Sequence, residues 1–244
     1  MSKPRIKNLK ILTIIPARSG SKGIPHKNIK YFNGKPLIEW SILQAKQSCY
    51  FNFMKVVVST DSLEYASIIK QPNVEIVHRP YEIAQDNSID IDFIQHTVQY
   101  LKETQNYEAD IILQLRPTQP CRKVKDIDCC IELFNRQRDK YDSLRSIVKI
   151  EKTPYKMYKI ENNNLVPYLK NYGNIDEPYN ICRQDLPDSY LHNGYIDIMN
   201  YSILKQNKIS GDNILPYIME KTDTYDIDTL EDWKRAEIYF NKLI

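Results

Sequence analysis

The segment IIPARSGSKGIPHKN, residues 14–28, brings three strong bases (Arg18, Lys22, Lys27) together with two glycines and two serines directly after an apolar run. Glycines let backbone N–H groups approach anionic oxygens, and the bases neutralise the charge those oxygens carry, so the pattern suits a phosphate. It matches neither G-x-x-x-x-G-K-[ST] nor G-x-G-x-x-G, and taken alone it also suits a solvated turn. Three D-x-D pairs follow: Asp90/Asp92, Asp126/Asp128 and Asp226/Asp228. Alternating aspartates can hold Mg²⁺ while leaving coordination positions for phosphate and water. The first two pairs sit at expected helix starts, where acids complement the helix dipole. Asp226 and Asp228, in the loop TDTYDIDT, are the better placed for a metal. Asp61 follows VVVST and suits either a metal or a helix cap. Arg116 and Arg122 bracket PTQPC, and His192, Asn193 and Gly194 precede YIDIMN. Four scattered histidines (His26, His78, His96, His192) make no Ser-His-Asp pattern, so acyl transfer is unsupported.

These residues need a frame, and the apolar pattern supplies one. Strands are expected at residues 10–15, 55–59, 74–77, 110–115, 195–200 and 214–219. Helices are expected at 37–48, 62–70, 90–102, 124–135 and 230–242. Near-continuous apolar strands alternating with helices imply an α/β fold, a mostly parallel sheet covered on both faces. Ligands of such sheets lie beyond the carboxyl ends of the strands, here just after Ile15, Ser59 and Leu115. The rhythm breaks after about Lys149. Residues 152–189 hold four prolines, many tyrosines and the run ENNN, which suits irregular structure and short hairpins inserted into a single domain.

Composition sets outer bounds. At 244 residues, 42% hydrophobic and 27% charged, the chain has the mix of a soluble globular protein. A net charge of +3 without a long basic run argues against a nucleic-acid partner. No stretch approaches the ~18 apolar residues of a membrane span, and the basic N-terminal segment reads as the flank of a first strand rather than a leader. Five cysteines without a C-x-x-C pair suggest reduced thiols and a cytoplasmic protein.

Taken in order, IIPARSGSKGIPHKNI, NGKPLI, VVVSTD, HRPYEIAQD, LRPTQPCR, RQDLP, HNGYIDI and YDIDTLED resemble the acylneuraminate cytidylyltransferases, or CMP-sialic acid synthetases, over roughly residues 11–236. The resemblance implies a Rossmann-like fold of the nucleotide-diphospho-sugar transferase kind. It implies a homodimer whose inserted arm, residues 150–190, reaches the partner. It also implies Mg²⁺-dependent conversion of CTP and a nonulosonic acid into a CMP-sugar and pyrophosphate. By position, Arg18, Lys22 and Asp228 would be catalytic. Ala17, Arg18, Ser21, Lys22, Gly23, Asn28, Asp86 and Ser88 would bind nucleotide, with residues 86–88 at the cytosine end. Asp226 and Asp228 would hold the metal. Arg116, Lys156, Arg183, Gln184, His192 and Asn193 would meet the acceptor. Two positions depart from the family pattern: Arg116 stands where glutamine is usual, and Leu191–His192 where an arginine often precedes N-G. The acceptor therefore stays open between sialic-like and octulosonate-like acids, and a different nucleotide is the neighbouring alternative. A glycosyltransferase reading of D-x-D is disfavoured by the SGSKG loop. A nucleotide binder without turnover is the alternative from another class.

Overall fold

A computed structural model describes residues 8–220 and 224–243, so the first seven residues, residues 221–223 (among them Thr222 and Asp223 of the TDTYDIDT loop) and the last residue lie outside it. Seven strands form one sheet: β1 (Ile11–Pro16), β2 (Met54–Thr60), β3 (Val74–His78), β4 (Ile111–Gln114), β5 (Ser143–Ile150), β6 (Ser189–Asn200) and β7 (Ile214–Met219). Their spatial order is β3-β2-β1-β4-β6-β5-β7. β6 runs antiparallel to both of its neighbours, and every other pairing is parallel.

The helices are α1 (Leu37–Gln47), α2 (Leu63–Ile68), α3 (Asp90–Gln105), α4 (Val124–Gln137) and α5 (Leu230–Leu243). Alternation along β1 divides the core. Ile11 and Ile15 face α1 and α4, while Leu12 and Ile14 face α3. α4 buries Ile127, Cys130, Ile131 and Phe134, an i, i+3, i+4, i+7 stripe that can only be satisfied against the sheet. α5 sets Trp233, Ala236 and Phe240 against Ile24, Phe32 and Ile227, which ties the end of the chain to the basic loop. The expected helices and strands all appear, with ends moved by a few residues.

β5 was not among the expected elements. Its sequence, SLRSIVKI, buries Ser143, Arg145 and Ser146 between β6 and β7, so neither an apolar run nor a clean alternation marks it. β6 is twice as long as the expected 195–200 because residues before Gly194 continue the pairing beyond a bulge between His192 and Asp197. Between β5 and β6 the chain forms two small hairpins, Tyr158–Glu161 with Asn164–Pro167 and Asn171–Tyr172 with Ile175–Asp176. Asn162 and Asn163 both take positive φ (49° and 64°), which is how ENNN makes the first turn. Among the described residues no helix is long and apolar enough to cross a membrane.

Candidate active site

The basic loop leaves β1 at the carboxyl edge of the sheet and is held from three sides. Ala17 is buried and continues the ladder by donating its N–H to the Ser59 carbonyl at 2.9 Å. Asp61, at the end of β2, accepts from the Ser19 backbone N–H at 2.8 Å and from the Ser19 hydroxyl at 2.6 Å. Asp61 is thus a loop anchor, and Ser62 caps α2 instead. Asn28, buried, donates to the Arg18 carbonyl at 2.9 Å. On the far side Lys27 donates to the Ile227 carbonyl (2.6 Å) and to Asp228 Oδ1 (3.0 Å). Gly23 is required by contact: a Cβ there would stand 2.2 Å from the Asp228 carbonyl oxygen. The loop and the 226–228 aspartates are therefore packed as one piece.

Arg18 and Lys22 cross to the segment after β3. Arg18 Nη1 donates to the Gln85 carbonyl at 2.8 Å and lies 3.1 Å from Asp86, whose other oxygen is 2.7 Å from Lys22 Nζ. The Lys22 hydrogen bond, with Arg18 beside it, lowers the Asp86 carboxyl below its usual value. Beneath them Arg79 donates to the Ser59 carbonyl (2.8 Å) and hydroxyl (3.1 Å) and lies over the Phe93 ring. Burial brings its pKa down to about 10. At the back, Arg116 pairs with Asp90 at 2.5 Å and with the fully buried Asp197. These groups enclose a cavity of about 570 Å³ at the carboxyl ends of β1 and β4.

Residues 12–179 match the family model described as cytidylyltransferase. The chain belongs to the cytidylyltransferase family. It is 33% identical over 242 residues to N-acylneuraminate cytidylyltransferase A of Danio rerio, covering 97% of this chain and 52% of the relative. It is 32% identical over 228 residues to N-acylneuraminate cytidylyltransferase of Escherichia coli O18:K1:H7 (strain RS218 / NMEC), covering 93% and 51%. The chain spans about half the length of these curated relatives. With post-translational flagellin modification protein B of Campylobacter coli it shares 30% identity over 230 residues, 93% of each chain. Among solved structures, CMP:2-keto-3-deoxy-manno-octonic acid synthetase complexed with CTP superposes with a TM-score of 0.68 at 17% identity, over 96% of this chain and all of that one. At that identity the likeness is one of fold.

In this chain Arg18, Ser21, Lys22, Gly23, Asn28, Asp86, Ser88, Arg116 and Asp228 all line the cavity. Ala17 lies beneath the loop. Asp226 accepts from the Thr118 side chain, and its carboxyl is raised, first by burial and then by the charge of Asp228. A carboxylate whose charge is disfavoured beside Asp228 fits a divalent cation. Carboxylate oxygens of this kind suit Mg²⁺ completed by phosphate and water oxygens. Of the other D-x-D aspartates three are structural: Asp126 accepts the Tyr195 and Tyr217 hydroxyls, Asp128 accepts from Ser48, and Asp92 closes the start of α3 on the Ile89 N–H, whereas Asp90 lines the cavity.

Lys156, Arg183 and Gln184 lie in the segment between β5 and β6, outside the cavity lining. Lys156 donates to the Tyr179 carbonyl at 3.2 Å, and Arg183 lies 3.6 Å from Glu151. Asn193 is turned inward, accepting from Ser146 at 2.7 Å, and His192 Nε2 is 2.7 Å from Asp197. Arg79, Gln85, Asp90 and Asp197 were not singled out by sequence as site residues. A charged residue inside the apolar strand YIDIMN was the available signal for Asp197.

Proposed function

We propose that the chain transfers CMP from CTP to an acidic 2-keto sugar of the nonulosonic class, releasing pyrophosphate, in the cytoplasm. The observation that carries this reading is the pairing of Arg18 and Lys22, two cations converging on one exposed carboxylate at the mouth of the cavity. A triphosphate offers the same contacts with more charge. The anomeric oxygen of the acceptor forms its bond to the α-phosphorus as the bond from the α-phosphorus to the bridging oxygen breaks. Transfers of this kind depend on positioning and charge stabilisation rather than covalent help. Arg18 and Lys22 neutralise charge building on the departing pyrophosphate. Backbone N–H groups of Gly20, Lys22 and Gly23 would cradle its oxygens, while the Ser21 N–H donates to the Ser19 carbonyl. Residues 85–88 border the base. Mg²⁺ held by Asp226 and Asp228 would add charge neutralisation and lower the pKa of the acceptor hydroxyl.

Arg116, His192 and Asn193 bound the acceptor half. Lys156, Arg183 and Gln184 would join it from the arm of a partner subunit in a homodimer. Support for that assembly comes from the arm's exposed apolar set, with Ile160 77%, Leu165 67% and Tyr168 61% exposed, a surface suited to being covered. The deciding experiment incubates the chain with CTP, Mg²⁺ and a panel of nonulosonic and octulosonic acids, with mass spectrometry of products and a pyrophosphate assay. A CMP adduct of a nine-carbon acid supports the reading. An adduct of an eight-carbon acid alone reassigns the acceptor. CTP binding without pyrophosphate release across the panel makes the chain a nucleotide binder.

A further inference from the structure

The acceptor side of the cavity is organised by a residue that no phosphate chemistry requires. Asp197 is fully buried on β6, directly opposite Arg145 on β5 and Gln114 on β4. One carboxylate oxygen takes both Arg145, at 2.8 Å, and Arg116; the other faces His192 Nε2 at 2.7 Å. Burial alone would push this carboxyl up, but the His192, Arg116 and Arg145 partners outweigh it and hold the group ionised.

The surrounding backbone is shaped to make this convergence possible. The bulge between His192 and Asp197 places Gly194 at φ +61°, where an added Cβ would sit 3.4 Å from the Arg116 side chain. A bulge next to a site commonly re-aims side chains. Here it lays bare backbone on the Arg116 stem and brings His192 and Arg116 to different oxygens of the Asp197 carboxylate. The Arg116 carbonyl is fixed as well, by Arg122 at 2.8 Å. Arg116 is the member of this set that lines the cavity.

We infer that Asp197 is the positioning residue of the acceptor half, holding Arg116 in the cavity wall and His192 at the sheet edge so that an acidic acceptor meets a fixed guanidinium. This rests on the cytidylyl-transfer reading, and it places acceptor recognition in a buried ionic hub on β6. Asp197 acts through Arg116, so removing either must have the same consequence.

The test compares wild type with Asp197→Asn, Arg116→Gln, the double variant, His192→Ala, and Asp126→Asn as a structural control gripping two tyrosines of the same region. CTP affinity is measured by calorimetry without acceptor, and the KM for an acidic acceptor by pyrophosphate release. Expected are an acceptor KM raised about 10- to 100-fold in Asp197→Asn and Arg116→Gln, the scale on which a small misplacement costs, with CTP affinity unchanged within about twofold. The double variant should be no worse than Arg116→Gln alone. His192→Ala should show a smaller rise in the same parameter, and Asp126→Asn none. If Asp197→Asn does not fold, Arg116→Gln and His192→Ala carry the test. The proposal is overturned if CTP affinity and acceptor KM worsen together, if the Asp197 and Arg116 effects multiply, or if Arg116→Gln and His192→Ala leave acceptor KM unchanged. If wild type binds CTP but turns over no acceptor, the transfer reading fails separately. Calorimetric binding of the acid to the CTP-loaded variants then decides the role of Asp197.

Discussion

Two aspartates gather the cations of this site, and they do so in opposite ways. Asp86 stands at the cavity mouth with its side chain 47% exposed, joined to Arg18 and Lys22. Asp197 sits at the back with no exposure, joined to Arg116, Arg145 and His192. An exposed ion pair is screened and worth little, so its anion can be exchanged for a better one. A buried carboxylate among cations cannot be exchanged, because its removal leaves positive charge without solvent or partner. On the proposed reading, the half at the mouth, which would take the nucleotide, is built to trade its internal anion for phosphate, and the half at the back, which would take the acceptor, to keep its own.

The sharpest way to break this contrast is to neutralise Asp197. Asp197→Asn should cost about 3–5 kcal/mol of stability, the range for breaking a buried ion pair, read by denaturant unfolding. The sign of the pH dependence follows from the lowered carboxyl. Its contribution is present above the unfolded value of about 3.9 and is lost as pH falls through the lower folded value. The gap between wild type and variant should stay level from neutral pH down to about pH 5 and close only in stronger acid. A gap that closes near neutrality would place another group in control.

On the nucleotide side the large effect should be kinetic instead. Lys22→Ala and Arg18→Ala should each lower kcat about 10²–10³-fold, by analogy with losing one transition-state donor. Both cations are at least a third exposed, so unfolding should shift little. Near-normal pyrophosphate release in Lys22→Ala would remove the loop from catalysis. Next in size is the metal pair. Asp228→Asn should raise the Mg²⁺ concentration needed for half-maximal rate by at least about tenfold, a cost that even an outer-shell partner can carry. Because Asp226 is raised by burial and by Asp228, metal affinity should begin to weaken on acidification at a higher pH than an ordinary carboxylate dictates. Unaltered Mg²⁺ dependence in Asp228→Asn would take the metal away from these residues.

The same contrast explains what the sequence made legible. The exchangeable half is written in exposed loops, and loops carry function in residue types that stand out: Arg18, Lys22, Gly23 and the Asp226/Asp228 pair. The alternation of strands and helices was equally plain, because each apolar stripe faces a core. The permanent half is written in pairings. β5 escaped notice since its charged and polar residues are buried by partners far along the chain, as with Ser146 and Ile196, fifty residues apart. Asp90 looked like an ordinary acid at a helix start, and only the fold brings it to Arg116. Asp61, read as a metal ligand or a cap, proved to be the anchor of Ser19, a contact spanning 42 positions. No local spacing encodes such distances.

The smallest effect tests the idea of exchange most directly. If Asp86 serves as a stand-in for phosphate, the triphosphate must displace it, and the displaced pair is a cost set against binding. Asp86→Asn should therefore tighten CTP and inorganic pyrophosphate, although the residue itself touches the nucleotide region. The gain should be roughly two- to fivefold, since an exposed pair holds no more than that. It should also shrink in added salt, which already screens the wild-type pair. The companion change Gln85→Ala leaves the backbone carbonyl that Arg18 uses and so should leave pyrophosphate affinity unchanged. Calorimetric titration of pyrophosphate at two ionic strengths separates the outcomes. Weaker binding in Asp86→Asn at both would mean that the carboxylate orders the loop for its ligand, and the two halves would then be alike in holding their anions permanently.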